Sequence, residues 1–188
     1  MGALPEWMSS LPEQGLTAEE YDRMPAEHCR NIEIVDGKIV VSPSATPRHN
    51  RIVWRLAGAL EKILPEPWQV TIDVDLRISE VPLTNRRPDV IVFKGDPDKI
   101  PVLPSSTMLV VEVMSQGSVN TDRLDKPAEY ASVEIPYFWR IERDSAGLIV
   151  YTHILNPTTK SYAPAGAHSL TLKTDRPFPM EIDLTALV

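Results

Sequence analysis

Two runs of consecutive apolar residues, Val90-Ile91-Val92-Phe93 and Met108-Leu109-Val110-Val111, constrain this chain more than any other feature in it. Neither run alternates with polar residues, so each reads as a strand covered on both faces, at about 89–93 and 108–114. Strands of that kind belong in the middle of a sheet flanked by helices. Each run also carries an acid. Asp89 opens the first, behind Pro88, and Glu112 sits inside the second, between Val111 and Val113. A carboxylate among β-branched residues is costly to bury unless it is paired or holds a cation. Lys126 lies in the polar, helix-like stretch that follows.

Around these strands the eighteen prolines help to cut the chain into segments. Residues 1–15 have little periodicity and read as an arm; residues 16–188 read as one domain, with a core over about 30–155 and a turn-rich tail over 156–188. Thr17-Ala18-Glu19-Glu20 has the form of a helix start, and Pro25 closes that helix after about Met24. Two β-rich runs around Asp36-Gly37 predict a hairpin over 31–41 with a two-residue turn. Thr46 is placed to cap a helix starting near Pro47 and running to about Leu64, with Ile52, Val53, Leu56, Leu60 and Ile63 at helical spacing. Alternation from Trp68 to Ile78 predicts one half-buried strand, and residues 79–87 a polar loop. Residues 120–132 read as a helix with Leu124, Ala128 and Ala131 on one side; strands follow at 135–141 and 147–154, and short ones at 160–163, 169–172 and 178–183. The order predicts an α/β fold: a central mixed sheet flanked by helices.

The acids suggest chemistry. Two carboxylates on neighbouring strands, with a lysine nearby, describe a Mg²⁺ site for phosphodiester cleavage. Mg²⁺ takes carboxylates and water in octahedral geometry, with Mn²⁺ a substitute, and the backbone carbonyl of Val113 is a natural further ligand. Lys126 is the candidate for orienting the attacking water or stabilising charge on phosphorus. Each residue has a plainer reading beside this one. Asp89 is also what an ordinary loop–strand junction looks like, and Glu112 also fits a structural ion pair with Lys126 or an arginine. Lys126 also fits a solvated helix lysine paired with Asp122. Glu33, opposite in phase to Ile32 and Ile34, reads equally as solvent-facing or as a ligand. His49, at the start of the long helix, fits a phosphate contact, a proton relay or a structural hydrogen bond.

Other classes are excluded more simply. Cys29 is the only cysteine, so there is neither an internal disulfide nor a cysteine zinc site. His28, His153 and His168 lack metal-ligand spacing, and no glycine loop cradles phosphate. No apolar run approaches the ~20 residues of a membrane span, and no basic region followed by an apolar stretch marks a signal peptide. A cytoplasmic protein with no membrane partner is the expectation. The net charge of −7 weighs against tight nonspecific DNA binding, although Arg48, Arg51 and Arg55 form one basic group and Arg86-Arg87 another.

Read in order, the segments resemble the Uma-type family of restriction-endonuclease-like proteins, in the PD-(D/E)XK nuclease superfamily. The matching stretches are Ile32 to Ile39, Ser42-Pro43-Ser44 with His49, Arg87-Pro88-Asp89-Val90, and Leu109 to Ser115. Asp122 with Lys126 and Tyr130, and Ile135-Pro136-Tyr137-Phe138-Trp139, complete the set. The resemblance implies a restriction-endonuclease-like core and a Mg²⁺-dependent site. Asp89 and Glu112 would be its metal carboxylates, Lys126 its lysine, and Glu33 and His49 would lie at its edge. The simplest superfamily pattern puts a lysine two residues after the glutamate, where this chain has Met114; the Uma-type pattern draws it from the next helix. Glu134 and Tyr137 also depart from the pattern, outside the metal site.

The expected function is a Mg²⁺-dependent endonuclease acting on DNA. The alternatives are a binding or regulatory module on the same fold with an unused site, and a hydrolase of another phosphoester. Many nucleases of this architecture cut both strands as dimers, so a symmetric homodimer is a further expectation.

Overall fold

The computed structural model describes residues 14–29, 32–41, 44–115 and 121–188. Thr17 caps helix α1 (Ala18–Asp22) through a capping box with Glu20, and a short helix α2 (Ala26–Cys29) follows. Strands β1 (Ile32–Val35) and β2 (Lys38–Val41) form the expected hairpin, with Val35 opposite Lys38. Its turn residues Asp36 and Gly37 have φ of 50° and 75°, as such a tight connection requires. Gly15 lies against that turn, and a Cβ on it would come within 3.0 Å of the Gly37 carbonyl oxygen. Thr46 accepts a hydrogen bond from His49 N and caps the long helix α3 (Pro47–Glu61).

After α3 the predicted single strand is broken in two. β3 (Trp68–Thr71) joins one sheet and β4 (Leu76–Glu80) another. Between them Asp73 takes a φ of 51°, and Arg87 holds the carboxylates of both Asp73 and Asp75. Alternation alone does not register a bend fixed by a residue fourteen positions away.

The predicted loop is corrected too. Leu83–Arg86 is a strand, β5, buried at all four positions. Its polar residues face internal partners rather than water: Asn85 accepts from Arg77 Nε at 2.8 Å, and Thr84 Oγ1 accepts from Asp36 N at 3.2 Å. β5 completes a four-stranded antiparallel sheet in the order β2-β1-β5-β4.

The apolar runs become β6 (Val90–Lys94) and β7 (Thr107–Val113), as expected. Residues 121–125 form a π-helical turn leading into α4 (Lys126–Ser132). The buried side of α4 carries Lys126, Tyr130 and Ala131, whereas Leu124 is 68% exposed, so the predicted apolar face was misplaced. β8 (Tyr137–Arg143), β9 (Leu148–Asn156) and β10 (Ser161–Ser169) then extend the main sheet. β10 pairs along β9 with a bulge between Pro164 and Gly166, so the tail adds a full strand where only a short one was predicted. β11 (Thr171–Thr174) and β12 (Met180–Asp183) close the chain as a hairpin.

The main sheet has the order β10-β9-β8-β7-β6-β3, and its parallel pair, β7 with β8, spans the α4 crossover. The fold is therefore mixed α/β, as predicted. One face packs on α3 and the β11–β12 hairpin through Ile52, Leu56, Leu60, Val111, Trp139 and Ile182. The other packs on α4 and β4 through Ile91, Val110, Tyr130, Phe138 and Leu76. A third cluster, with Leu16, Tyr21 and Ile34, seats the N-terminal helices on the four-stranded sheet.

Candidate active site

Strand register brings the two acids together. Val90 pairs with Val111 in the antiparallel β6–β7 ladder, so Asp89, one residue earlier, comes opposite Glu112. Alternation along β7 sends Val111 and Val113 into the α3 face and Val110 and Glu112 to the α4 face. Glu112 is only 2% exposed. Its cost of burial is met from α4: Lys126 Nζ lies 3.1 Å from Oε2, and Tyr130 donates its hydroxyl to Oε1 at 2.6 Å. Lys126 and Tyr130 are four residues apart, hence one above the other on the buried side of the helix. Burial, together with the negative charge of Glu112 and Glu33, pushes the Tyr130 phenol well above its usual range. It therefore keeps its proton and stays a donor.

Asp89 sits nearer the rim. Its Oδ2 accepts from Val113 N at 2.6 Å, and its Oδ1 lies 2.9 Å from His49 Nε2. The Thr46 cap fixes where α3 begins and so where His49 stands. The contact seen at Val113 is its amide, donated to Asp89, whereas the sequence reading used its carbonyl.

A second tier lies behind Lys126. Glu33 is 5% exposed, which overturns the solvent-facing reading. The face of β1 opposite its isoleucines is covered by protein rather than by water. Glu33 Oε2 accepts from Arg86 Nη1 at 3.0 Å, while Oε1 accepts from Arg87 N at 3.0 Å and lies 3.5 Å from Lys126 Nζ. Arg86 also grips Glu129 with two hydrogen bonds, both 2.6 Å. Burial alone would lower the Arg86 pKa, but hydrogen bonding to Glu129 and the charge of Glu33 outweigh it and raise it.

The structure thus joins Glu33, Glu112 and Lys126 in one network, with Asp89 and His49 paired at its edge. The side chain of Asp122, weighed as a partner for Lys126, lies outside the described residues, as do Ser42 and Pro43. His153 stacks on Phe138 at 5.5 Å, away from this network.

The family model described as "Uma2: Putative restriction endonuclease" matches residues 18–186. The chain belongs to the Uma2 family.

The fold of this Uma2 member is also similar to that of a solved structure, described as a putative nuclease belonging to DUF820 from Anabaena variabilis. The two share 14% sequence identity and superpose with a TM-score of 0.64, covering 92% of this chain and 97% of that one. A comparison with curated proteins gives no match. No helix among the described residues is long and apolar enough to cross a membrane.

The donor chemistry of this Uma2 site suits a hard cation. The carboxylates of Glu33, Glu112 and Glu129 are held by Lys126 and Arg86, and Asp89, bound to the Val113 amide, pairs with His49. Among the described residues no three His, Cys, Asp or Glu side chains group to hold a metal. Mg²⁺ does not need three, since it binds through one or two carboxylates and retains water. The sequence reading assigned no role to Tyr130, Arg86 or Glu129. Tyr130 was signalled by its i+4 spacing from Lys126. Arg86 had no local signal, because both its partners are more than forty residues away.

Proposed function

We propose that this chain is a Mg²⁺-dependent endonuclease that hydrolyses DNA phosphodiester bonds. The observation that carries this reading is the placement of Asp89 opposite Glu112, with Lys126 Nζ 3.1 Å from Glu112 Oε2. Asp89 and Glu112, with the Val113 carbonyl, would hold Mg²⁺ (or Mn²⁺). The bound ion would supply Lewis acidity to the scissile phosphate and a more acidic water.

The chain's own groups do the rest. Tyr130 fixes the rotamer of Glu112, and His49 fixes that of Asp89. Glu33 and Glu112 together hold the Lys126 ammonium, which would donate to the attacking water and meet charge building on phosphorus. Val113 N–H holds the other Asp89 oxygen and ties the two strand ends together. In-line attack by water on phosphorus then breaks the bond to one bridging sugar oxygen, which leaves as an alcohol on taking a proton from solvent as the attacking water gives one up.

One observation favours the second reading, a binding module with an unused site: both Glu112 oxygens already accept hydrogen bonds. Calorimetry with Mn²⁺ and Mg²⁺, with and without DNA, separates the two. Saturable binding lost in Asp89→Ala and in Glu112→Ala, followed by metal-dependent nicking of supercoiled plasmid, is the result expected of the nuclease. Binding that neither substitution alters, or none in the wild type, leaves the pair structural. Metal binding without nicking points to another phosphoester.

A further inference from the structure

Arg77, Arg86, Arg87 and Arg140 are each held by carboxylates. Arg48 and Arg51, exposed on the first turns of α3, have no ion-pair partner among the described residues. The first turn of α3 contains no acid, and Lys62 follows at its C-terminal end. Arg55 belongs to the same side but donates to the carbonyls of Ala186 and Val188, so it is turned toward the C-terminal segment.

Beside the two free arginines stands Trp54, 70% exposed and the only exposed aromatic residue among those described. It forms one wall of an open groove of about 770 Å³, lined by the apolar Ile63 and Ile182 and by the charged Lys62, Glu181 and Asp183. Leaving a tryptophan in water forgoes the burial of a large apolar surface. The helix that carries these residues begins at the site, where His49 contacts Asp89 at 2.9 Å. From Arg48 to Lys62 it runs for about 21 Å, at about 1.5 Å per residue. That distance is about six nucleotide steps of one strand.

We infer that the outer face of α3 binds the nucleic-acid strand flanking the cut, with Arg48 and Arg51 on its phosphates and Trp54 stacked on an unpaired base. This rests on the nuclease reading and narrows its substrate to DNA with single-stranded character beside the scissile bond. In a duplex the base faces are covered by their neighbours, and a tryptophan on a convex helix surface reaches none of them. In a single strand every base offers a π-face. Two arginines, rather than a broad basic patch, make the binding modest and salt-dependent.

The test is anisotropy of a labelled single strand of about 16 nucleotides, and of the matching duplex, in EDTA across a salt series. The full chain is compared with Arg48→Ala/Arg51→Ala, Trp54→Ala and Trp54→Phe; all three positions are exposed, and circular dichroism checks the fold. The single strand should bind more tightly than the duplex. The arginine double variant should bind at least tenfold more weakly, with its log–log salt slope reduced by about 1.4, at ~0.7 per phosphate on single strands. Trp54→Ala should weaken binding by roughly 5–150-fold with the slope unchanged, while Trp54→Phe keeps most of the affinity. Variants that bind like wild type, or a wild type that binds neither DNA, overturn the inference. So does a dimer that Trp54→Ala converts to monomer in sedimentation, since the groove would then hold a second copy. Failure of the nuclease reading is distinct: metal binding would be indifferent to Asp89→Ala and Glu112→Ala, whatever the anisotropy shows.

Discussion

The two faces of strand β7 divide the molecule. Toward α3, Val111 and Val113 meet Ile52, Leu56 and Leu60, a contact made only of apolar side chains. Toward α4, Val110 is followed by Glu112, and the apolar packing gives way to Lys126, Tyr130, Glu33 and Arg86. The α3 face is non-directional: any well-filled apolar surface would stabilise it. The α4 face is directional, and each buried charge there is tolerated because a specific partner stands within hydrogen-bond reach. Apolar packing and a buried charge network are thus carried by alternate residues of one strand.

The largest effect should come from the apolar side. Leu56, fully buried on α3, should cost about 2–5 kcal/mol as Leu56→Ala in urea unfolding. If the loss is below 1 kcal/mol, the α3 face does not carry the stability assigned to it.

Next comes the buried pair. Lys126→Met should destabilise by about 2–4 kcal/mol, because it leaves the buried Glu112 without its cationic partner. Adding Glu112→Leu should restore stability to within about 1 kcal/mol of wild type or above it. A double variant no more stable than Lys126→Met would mean that the pair is built for stability, and the contrast between the faces would fail.

Tyr130→Phe removes one donor to a charged acceptor and should cost about 1.5–3 kcal/mol. Double-mutant cycles with Glu112→Leu check it: the cost should nearly vanish once the carboxylate is gone.

The smallest effect is a pH dependence at the far end of the same face. Burial, then the charge of Arg140, lowers the pKa of His153 below 6.5. Well above pH 6.5 the imidazole is neutral in both states and adds no slope. As the pH falls below 6.5 the unfolded chain binds a proton that the folded one resists, so stability declines. His153→Gln should flatten that decline in melts taken between pH 7 and 5; an unchanged slope would assign it to carboxylates instead.

Reading the chain by pattern works where neighbours in sequence carry the signal. The Asp36-Gly37 hairpin, the Thr46-capped helix and the central strands β6 and β7 were all legible, because each is written in consecutive residues. The break at Asp73 and the buried strand Leu83–Arg86 were not, since Arg87, Asn85 and Arg86 find their partners in other elements. The inward face of α4 was misassigned for a related reason: Lys126 and Tyr130 count as polar by residue type, yet Glu112 draws them inside.

The sequence by itself determined that two apolar strands each carry one acid, and the order of helices and strands outside residues 68–87. Periodicity reports burial one residue at a time, and that is enough for both. Only the tertiary structure decided that Asp89 stands opposite Glu112, that Glu33 turns inward, and that Arg86 and Tyr130 belong to the same network. Those facts depend on register and on charge pairs bridging from 14 residues (Glu112 with Lys126) to 93 (Glu33 with Lys126), and a buried ion's place is set by its partner in space rather than by its neighbours along the chain.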